Sequence, residues 1–269
     1  MSWLNDVIGT EKAIIAMCHL LALPGDPYYN KEKGMDYVIE MAIKDLNALQ
    51  DGGVDAVMFS NEFSMPYLTD VKVETVASMA RIIGEIKQYI KIPFGVNVLW
   101  DAKKSLDLAV ATDASFVREI FSGVYASDFG LWNTNSGETV RHQYNIGAGN
   151  IKLIYNIFPE ASGYLASRSI SDIAKTTVFN CNPDAVCVSG NTAGTETKIE
   201  TLKEVKDTLP DTVVLSNTGV NLKNYIKNLE IADGAIVGTT FKHEGIFSNH
   251  VDKKRVKEFM DKVKEMRAS

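Results

Sequence analysis

The sequence predicts an α/β protein, a single (β/α)8 barrel domain that comprises residues 1–269 and includes a short N-terminal helix. Short apolar runs recur at spacings of about twenty to forty residues, and a helix-like stretch follows each run. Repeated β-then-α units in one chain of this length are typical of a closed barrel. The runs occupy residues 13–19, 54–60, 92–98, 114–120, 151–156, 185–189, 213–217 and 234–238.

The apolar runs are predicted to be parallel strands buried on both faces. They are continuous and do not alternate with polar residues, which indicates a sheet covered on both sides. The links between them are too long for hairpins and fit parallel crossovers. An open doubly wound sheet is the alternative, and the absence of a glycine-rich dinucleotide fingerprint disfavours it.

The first two helices are predicted from apolar stripes. One stripe runs from Met35 to Leu49 and ends at Gly52 and Gly53, and the other lies within residues 73–90 and stops before Pro93.

The other helices are predicted from their ends. Asp101 is a good N-cap for a helix that reaches residue 112. Ser169 with Asp172, and Thr197 with Glu200, have the spacing of capping pairs for the fifth and sixth helices. Weaker patterns indicate helices over 137–148, 222–229 and 253–266, and a short helix before residue 13 that crosses the bottom of the barrel.

Composition and charge exclude several classes of function. The chain is 45% hydrophobic, has a formal net charge of −6 and shows no basic stripe, so we expect no nucleic-acid partner. No stretch is long and apolar enough to predict a membrane span, and the N-terminus lacks a signal-peptide pattern. The three cysteines have no metal-binding spacing, which favours a reducing compartment, and we predict a cytoplasmic protein. A barrel of this kind is compatible with homo-oligomer formation.

Polar residues follow the strands where a barrel carries its chemistry. The C-terminal ends of the strands meet at one rim, so these side chains are expected to converge there. His19 and Glu62 are candidates for general acid–base catalysis, or for ligands of a divalent metal ion; a histidine satisfied by a backbone carbonyl and a rim salt-bridge partner are the alternatives. The rim candidates are His19, Asn61, Glu62, Asn97, Arg118, Glu119, Asn156, Ser189, Asn217 and Thr218.

Arg118 and Glu119 are neighbours on the fourth strand, so their side chains point to opposite faces. An inward Arg118 would bind an anionic substrate, and an inward Glu119 would be a base or a metal ligand. Two long loops, over residues 20–33 and 121–136, are candidate lids or pocket walls at the same rim.

The loops after the seventh and eighth strands predict a phosphate-binding site. Many barrels hold phosphate there through backbone N–H groups. Gly219 and Gly238 would allow close approach, with hydroxyl donors from Thr218, Thr239 and Thr240 and with added charge from Lys242. The alternative is that the glycines only make tight turns. A small-residue loop over 189–194, which includes Ser189 and Gly190, could reach the same ligand.

Some chemistries are disfavoured by what the sequence lacks. No lysine is placed at a strand end as a Schiff-base enzyme requires, and Lys152 lies at the start of the fifth strand, on the opposite face of the barrel. No HExxH, P-loop or nucleophile-elbow motif occurs.

The chain resembles the BtpA family, and within it the SgcQ-like branch. The family motifs are AMCHL at 16–20, LPGDP at 23–27, GGVDA at 52–56, PFGVNV at 93–98 and ADGAIVGT at 232–239; those of the branch are FSNEF at 59–63, REIF at 118–121 and NIFPE at 156–160. The resemblance implies a barrel of the ribulose-phosphate-binding type, and for this branch a link to sugar-transport gene clusters. It also implies a changed fifth strand, because the broader family often has an Asp followed by a Lys-His pair where this chain reads YNIFPEA at 155–161.

The leading hypothesis is an enzyme of carbohydrate metabolism that acts on a phosphorylated sugar or a related phosphorylated small molecule. It would be a lyase, isomerase or epimerase in which Glu62, Glu119, His19 and Asn156 provide acid–base or metal-assisted chemistry. The binding residues would be Asn97, Arg118, Ser189, Gly190, Asn217, Thr218, Gly219, Gly238, Thr239 and Thr240. The alternatives are a non-catalytic metabolite-binding or assembly factor of the BtpA type, and a phosphohydrolase or nucleosidase.

Overall fold

A computed structural model describes residues 2–192 and 194–268 and shows a closed barrel of eight parallel strands. Around the barrel the order is β1, β2, β3, β4, β7, β9, β10 and β11, and β11 pairs with β1. Every predicted apolar run forms a barrel strand, so the predicted fold is confirmed. The strands are β1 Ala13–His19, β2 Ala56–Ser60, β3 Phe94–Asn97, β4 Phe116–Glu119, β5 Val124–Ser127, β6 Gly130–Asn133, β7 Lys152–Phe158, β8 Ser162–Tyr164, β9 Ala185–Val188, β10 Val213–Ser216 and β11 Gly234–Val237.

In the part of the chain that the structure describes, eight α-helices surround the barrel in the order that the periodicity predicts. They are α1 Gly34–Gly52, α2 Val73–Ile86, α3 Ala102–Thr112, α4 Ser136–Asn145, α5 Ile170–Cys181, α6 Ile199–Thr208, α7 Tyr225–Ile231 and α8 Lys253–Ala268. Among the described residues, no helix combines the length and the hydropathy that crossing a membrane requires.

Two predicted helix caps are confirmed and one is wrong. Asp101 accepts a hydrogen bond from the Lys104 N–H, and Ser169 caps α5 in the same way. The Thr197 hydroxyl does not cap α6, because it donates to the backbone oxygens of Val188 and Thr218 at the ends of two strands. The prediction failed because these strand carbonyls compete for the same hydroxyl.

Alternate residues of the barrel strands fill the interior. Ile15 and Met17 of β1 belong to an inner cluster with Phe116 of β4, whereas Val117 belongs to the outer cluster beneath the helices. Gly95 on β3 is required by this packing, because a Cβ there would lie 2.2 Å from the Phe116 ring.

The bottom of the barrel is closed by the N-terminal segment, as predicted. A single π-helical turn over Leu4–Ile8 packs Leu4 and Ile8 against the inner cluster, together with Trp3. The Trp3 indole donates to the backbone oxygen of Asp184 at 2.9 Å, which ties the segment to the start of β9. Lys152 lies at this end too and pairs with the Asp184 carboxylate at 2.9 Å.

A second sheet stands above the rim and was not predicted. β5 pairs antiparallel with β6 and with β8, so the long loop after β4 and the loop after β7 form one three-stranded sheet. Its apolar side buries Tyr125 and Trp132 with Ile120 from the end of β4. The loop over 121–136, a predicted lid or pocket wall, therefore contains the β5–β6 hairpin.

Candidate functional site

A cavity of about 410 Å³, open solvent at its mouth included, lies at the C-terminal ends of the barrel strands. It is lined by predicted site residues from β1, β4 and the loops after β2, β10 and β11, and by residues that the sequence analysis did not select. The predicted lining residues are His19, Glu62, Arg118, Asn217, Thr218, Gly219, Gly238 and Thr239, with Gly194 from the predicted small-residue loop; the others are Met17, Glu160, Ile236 and Phe247.

Arg118, not Glu119, faces the barrel axis. Arg118 shares a strand face with Phe116 of the inner cluster, lines the cavity and is only 5% exposed. Its Nε and Nη1 atoms have no hydrogen-bond partner, and no carboxylate of the described residues lies within 4.0 Å of the guanidinium. The Trp100 ring centroid lies 5.9 Å away. A buried cation without a counter-charge is costly, so this position favours an anionic ligand.

His19 and Glu62 form a pair at the edge of the cavity. His19 Nε2 lies 3.8 Å from Glu62 Oε2, and Ser60 donates to the same oxygen at 3.2 Å. The Phe247 ring packs 5.5 Å from the imidazole centroid, and Gly238 leaves room for the ring because a Cβ there would lie 3.2 Å from its Cε1. The imidazole Nδ1 is buried without a hydrogen-bond partner in the described chain.

Burial shifts the two groups of this pair toward their neutral forms. It is the main cause that lowers the pKa of His19 well below its usual value, and the charges of Lys242 and Arg118 act in the same direction. Burial also raises the pKa of Glu62, and Glu160 adds to that effect while Arg118 opposes it. A neutral imidazole beside a carboxyl group of raised pKa is a suitable arrangement for proton transfer near neutral pH.

Glu119 lies behind the cavity and does not line it. Its carboxylate accepts a hydrogen bond from the Asn97 Nδ2 at 2.7 Å and another from the Ile120 N–H at 2.6 Å. Burial raises the pKa of Glu119 to about 8, against the opposing effect of these hydrogen bonds and of Arg118. The contact orients the Asn97 amide, whose Oδ1 has no partner among the described residues. A catalytic role for Glu119 remains a prediction.

Asn156, Ser189 and Asn217 form a hydrogen-bonded row along the ends of β7, β9 and β10. Asn156 donates to Ser189 Oγ at 3.2 Å, and Asn217 donates to the same oxygen at 2.7 Å. Of the three, only Asn217 lines the cavity.

Glu160 is a cavity residue that the sequence analysis missed. The Asn156 side chain donates a hydrogen bond to the Glu160 carboxylate at 3.4 Å. The pairing of β7 with β9 is irregular between Asn156 and Phe158, just before Glu160. A proline followed by an acidic residue directly after a strand was the available signal.

Some residues of the predicted phosphate-binding loops line the cavity, and others make structural contacts outside it. Gly219, with φ +68°, is needed for close packing, because a Cβ there would lie 2.4 Å from the Glu196 backbone. The Thr240 hydroxyl donates to the Val220 oxygen at 2.6 Å, outside the cavity lining. Thr218 lines the cavity and also accepts a hydrogen bond from the Gly190 N–H. Gly190 itself packs against the Thr195 oxygen and does not line the cavity.

Lys242 does not add charge to the phosphate loops, contrary to the prediction. Its side chain is buried, with Nζ 3.6 Å from the Asp45 carboxylate. Asp45 also lies 3.3 Å from His250 and accepts the Val251 N–H, so Lys242 belongs to a buried network that joins α1 to the segment before α8.

Comparison with known proteins decides the family. The model of the BtpA family matches residues 10–265. The chain belongs to the BtpA family. It is 64% identical over 267 residues to the sgc region protein SgcQ of Escherichia coli, covering 99% of this chain and all of that protein. It is 35% identical to a protein of Archaeoglobus fulgidus over 258 residues, which cover 94% of this chain and 99% of that one. It is 26% identical to the photosystem I biogenesis protein BtpA of Synechocystis over 259 residues, which cover 95% and 89% of the two chains.

Solved structures agree with the fold of this BtpA-family member. Phosphoribosyl anthranilate isomerase from Thermus thermophilus matches with a TM-score of 0.57 at 8% identity, covering 94% of this chain and 99% of that one. The 7,8-dihydropteroate synthase from Vibrio fischeri matches with a TM-score of 0.57 at 11% identity, covering 94% and 93%. At these identities the likeness concerns the barrel alone.

Motifs of the family and of the SgcQ-like branch contribute residues that line the cavity. AMCHL places His19 at the end of β1, FSNEF places Glu62 after β2, and REIF places Arg118 at the end of β4. Within residues 2–192 and 194–268, no three His, Cys, Asp or Glu side chains are grouped as metal ligands. A divalent metal ion at His19 and Glu62 therefore stays a prediction that rests on two ligands.

Proposed function

We propose that this BtpA-family protein is an enzyme that acts on a phosphorylated sugar or a related phosphorylated metabolite. The reaction is an isomerisation, an epimerisation or a lyase step that begins with removal of a proton beside a carbonyl group. Its place is in carbohydrate metabolism, in line with the resemblance to the SgcQ-like branch.

The observation that carries the proposal is the unpaired guanidinium of Arg118 in the same cavity as the His19–Glu62 pair. An anionic group of the ligand supplies the counter-charge that the described residues do not supply. The loops that contribute Gly219, Gly238 and Thr239 border the same space, so a phosphate has both a cationic partner and a close approach to the backbone.

The acid–base pair supplies the chemistry. Glu62 in its ionised form takes the proton from the carbon beside the carbonyl group, because its raised pKa makes it a stronger base than a free carboxylate. The neutral His19 imidazole donates a hydrogen bond to the carbonyl oxygen and stabilises the negative charge that develops there. Arg118 holds the substrate in place through its anionic group.

The test uses proton exchange, which requires no knowledge of the product. Phosphorylated aldoses and ketoses are first ranked by calorimetry, and the tightest binder is incubated with the protein in D₂O. We expect deuterium to enter the carbon beside the carbonyl group, observed by proton NMR. Glu62→Gln should abolish the exchange and retain binding, because the amide cannot accept the proton.

Controls separate the alternatives. Arg118→Met should abolish binding, whereas Arg81→Met, which alters an exposed arginine paired with Asp36 and Glu85, should leave it unchanged. Binding without exchange or turnover would favour the non-catalytic metabolite-binding factor. A lack of binding by every phosphorylated compound would contradict the proposal.

A further inference from the structure

The amide oxygen of Asn217 is a buried hydrogen-bond acceptor that the proposed reaction does not use. Asn217 follows β10, lines the cavity and is 5% exposed. Its Nδ2 donates to the Ser189 hydroxyl at 2.7 Å, and its Oδ1 has no hydrogen-bond partner among the described residues. An acceptor in this position lacks the solvation that it would have in water, so a ligand that donates to it gains affinity.

A chain of hydrogen bonds sets which edge of the amide the cavity meets. The Phe158 N–H donates to Asn156 Oδ1 at 3.2 Å, so a backbone group fixes the orientation of the Asn156 amide. The Ser189 hydroxyl donates to the same Oδ1 at 3.4 Å, which leaves the Ser189 oxygen to accept from Asn217. Since Ser189 holds the nitrogen of Asn217 and does not itself line the cavity, the amide oxygen is the polar side-chain atom of Asn217 that remains available to a ligand.

The lining of the cavity offers further acceptors. The Glu160 carboxylate, bonded to Asn156 at 3.4 Å, lines the cavity together with Asn217 and Glu62. Arg118 supplies the guanidinium donors of the lining. A phosphate dianion bound to Arg118 has no hydrogen to give to Asn217, whereas a hydroxyl group does. A ligand that matches this cavity therefore carries one anionic group and hydroxyl groups close to it.

We propose that Asn217 is a specificity-determining residue that accepts a hydrogen bond from a substrate hydroxyl, so that the substrate is a polyhydroxylated phosphate ester. The inference rests on the proposed function for its phosphate and adds the recognition of hydroxyl groups. The site selects polyol and sugar phosphates against phosphates of unsubstituted carbon chains.

Matched pairs of ligands test this on the wild-type protein. Glycerol 3-phosphate, erythritol 4-phosphate, ribitol 5-phosphate and sorbitol 6-phosphate are each compared by calorimetry with the alkyl phosphate of equal carbon number. We expect at least one polyol phosphate to bind about tenfold or more tightly than its alkyl counterpart, because the alkyl chain leaves the buried acceptor unpaired.

A variant assigns the effect to Asn217. Asn217→Leu should reduce the preference for the polyol member of the pair to within about threefold, since no acceptor remains to be satisfied. Asn228→Leu is the matched control: Asn228 is a buried asparagine of α7 that accepts from Ser216 at 2.8 Å and does not line the cavity. It should keep the full preference, and circular dichroism reports whether each variant is folded.

The outcomes distinguish this inference from the proposed function. Equal binding of the polyol and alkyl series would overturn the recognition of hydroxyl groups and leave the phosphate site intact, as would a preference that survives in folded Asn217→Leu. Binding by neither series would overturn the phosphate site and this inference together.

Discussion

The imidazole Nε2 of His19 lies 3.8 Å from the carboxylate Oε2 of Glu62, where β1 and β2 end side by side at the barrel rim. The parallel register pairs His19 with Ser60, so the loop after β2 needs only two further residues to bring Glu62 opposite the ring. Burial disfavours charge on both groups, so the pKa of His19 lies below that of a free imidazole and the pKa of Glu62 lies above that of a free carboxyl group.

The lowered pKa of His19 predicts a pH-dependent stability. The unfolded chain binds a proton at His19 near pH 6.5, whereas the folded protein binds it only at lower pH. The free energy of unfolding that His19 contributes is therefore present above pH 6.5 and lost as the pH falls below it. Urea titrations at pH 7.5 and 5.5 should show this loss, and His19→Gln should reduce it. An equal loss in the variant would contradict the assignment to His19.

Glu119 predicts the opposite dependence at higher pH. Its folded-state pKa of about 8 lies above the usual 4.5, so the folded protein keeps a proton that the unfolded chain releases. Stability from this group is full below pH 4.5 and falls as the pH rises through about 8. The glutamine in Glu119→Gln cannot ionise, so the variant does not lose stability in this way. The difference in the free energy of unfolding between variant and wild type should therefore increase by a few kcal/mol as the pH is raised from 5 to 9. Glu138→Gln, on the exposed side of α4, is the control and should show no such gain.

Arg118→Met should stabilise the protein and abolish phosphate binding at once. Methionine fills similar space without a buried charge, and the expected gain is roughly 1 to 3 kcal/mol in the absence of ligand. Thermal unfolding with and without the best phosphorylated ligand measures both effects. A loss of stability in the ligand-free variant would indicate that the fold, and not the ligand, requires the guanidinium.

Gly219 and Gly245 offer a comparison of backbone strain with steric conflict. Both have φ +68°, so replacement by alanine carries the same conformational penalty of about 1 kcal/mol. At Gly245 a new Cβ would lie 3.3 Å from the flexible Arg255 side chain, whereas at Gly219 it would lie 2.4 Å from the Glu196 backbone. Gly245→Ala should therefore be mildly destabilising and Gly219→Ala about 3 kcal/mol worse, by chemical denaturation. Similar losses in the two variants would contradict the close packing at Gly219.

The sequence pattern predicted the barrel because its strands are buried on both faces and so form continuous apolar runs. Because both faces of the strands are apolar, the sequence did not predict which of Arg118 and Glu119 points into the barrel. Phe116 and Val117 are both apolar, although one packs inside the barrel and the other beneath the helices, so no alternation marked the inward face. The inward direction of Phe116 depends on packing between strands, against Gly95 of β3 and in the inner cluster with Ile15 and Met17 of β1.

The three-stranded sheet and Glu160 were missed for a different reason. β5, β6 and β8 are short and partly exposed, and β8 lies in another loop, so the pairing of Tyr125 with Tyr164 has no local signal. Glu160 reaches the cavity through the irregular end of β7, which a regular strand pattern does not include.

Trp3, Leu4 and Ile8 fill the N-terminal end of the barrel, on the side opposite the rim. A ligand of Arg118 is therefore expected to enter and leave past the rim, where the cavity lies. The segments around the rim then set the rates of ligand association and dissociation. Substitutions in these segments should change those rates and leave the packing of the N-terminal segment unchanged.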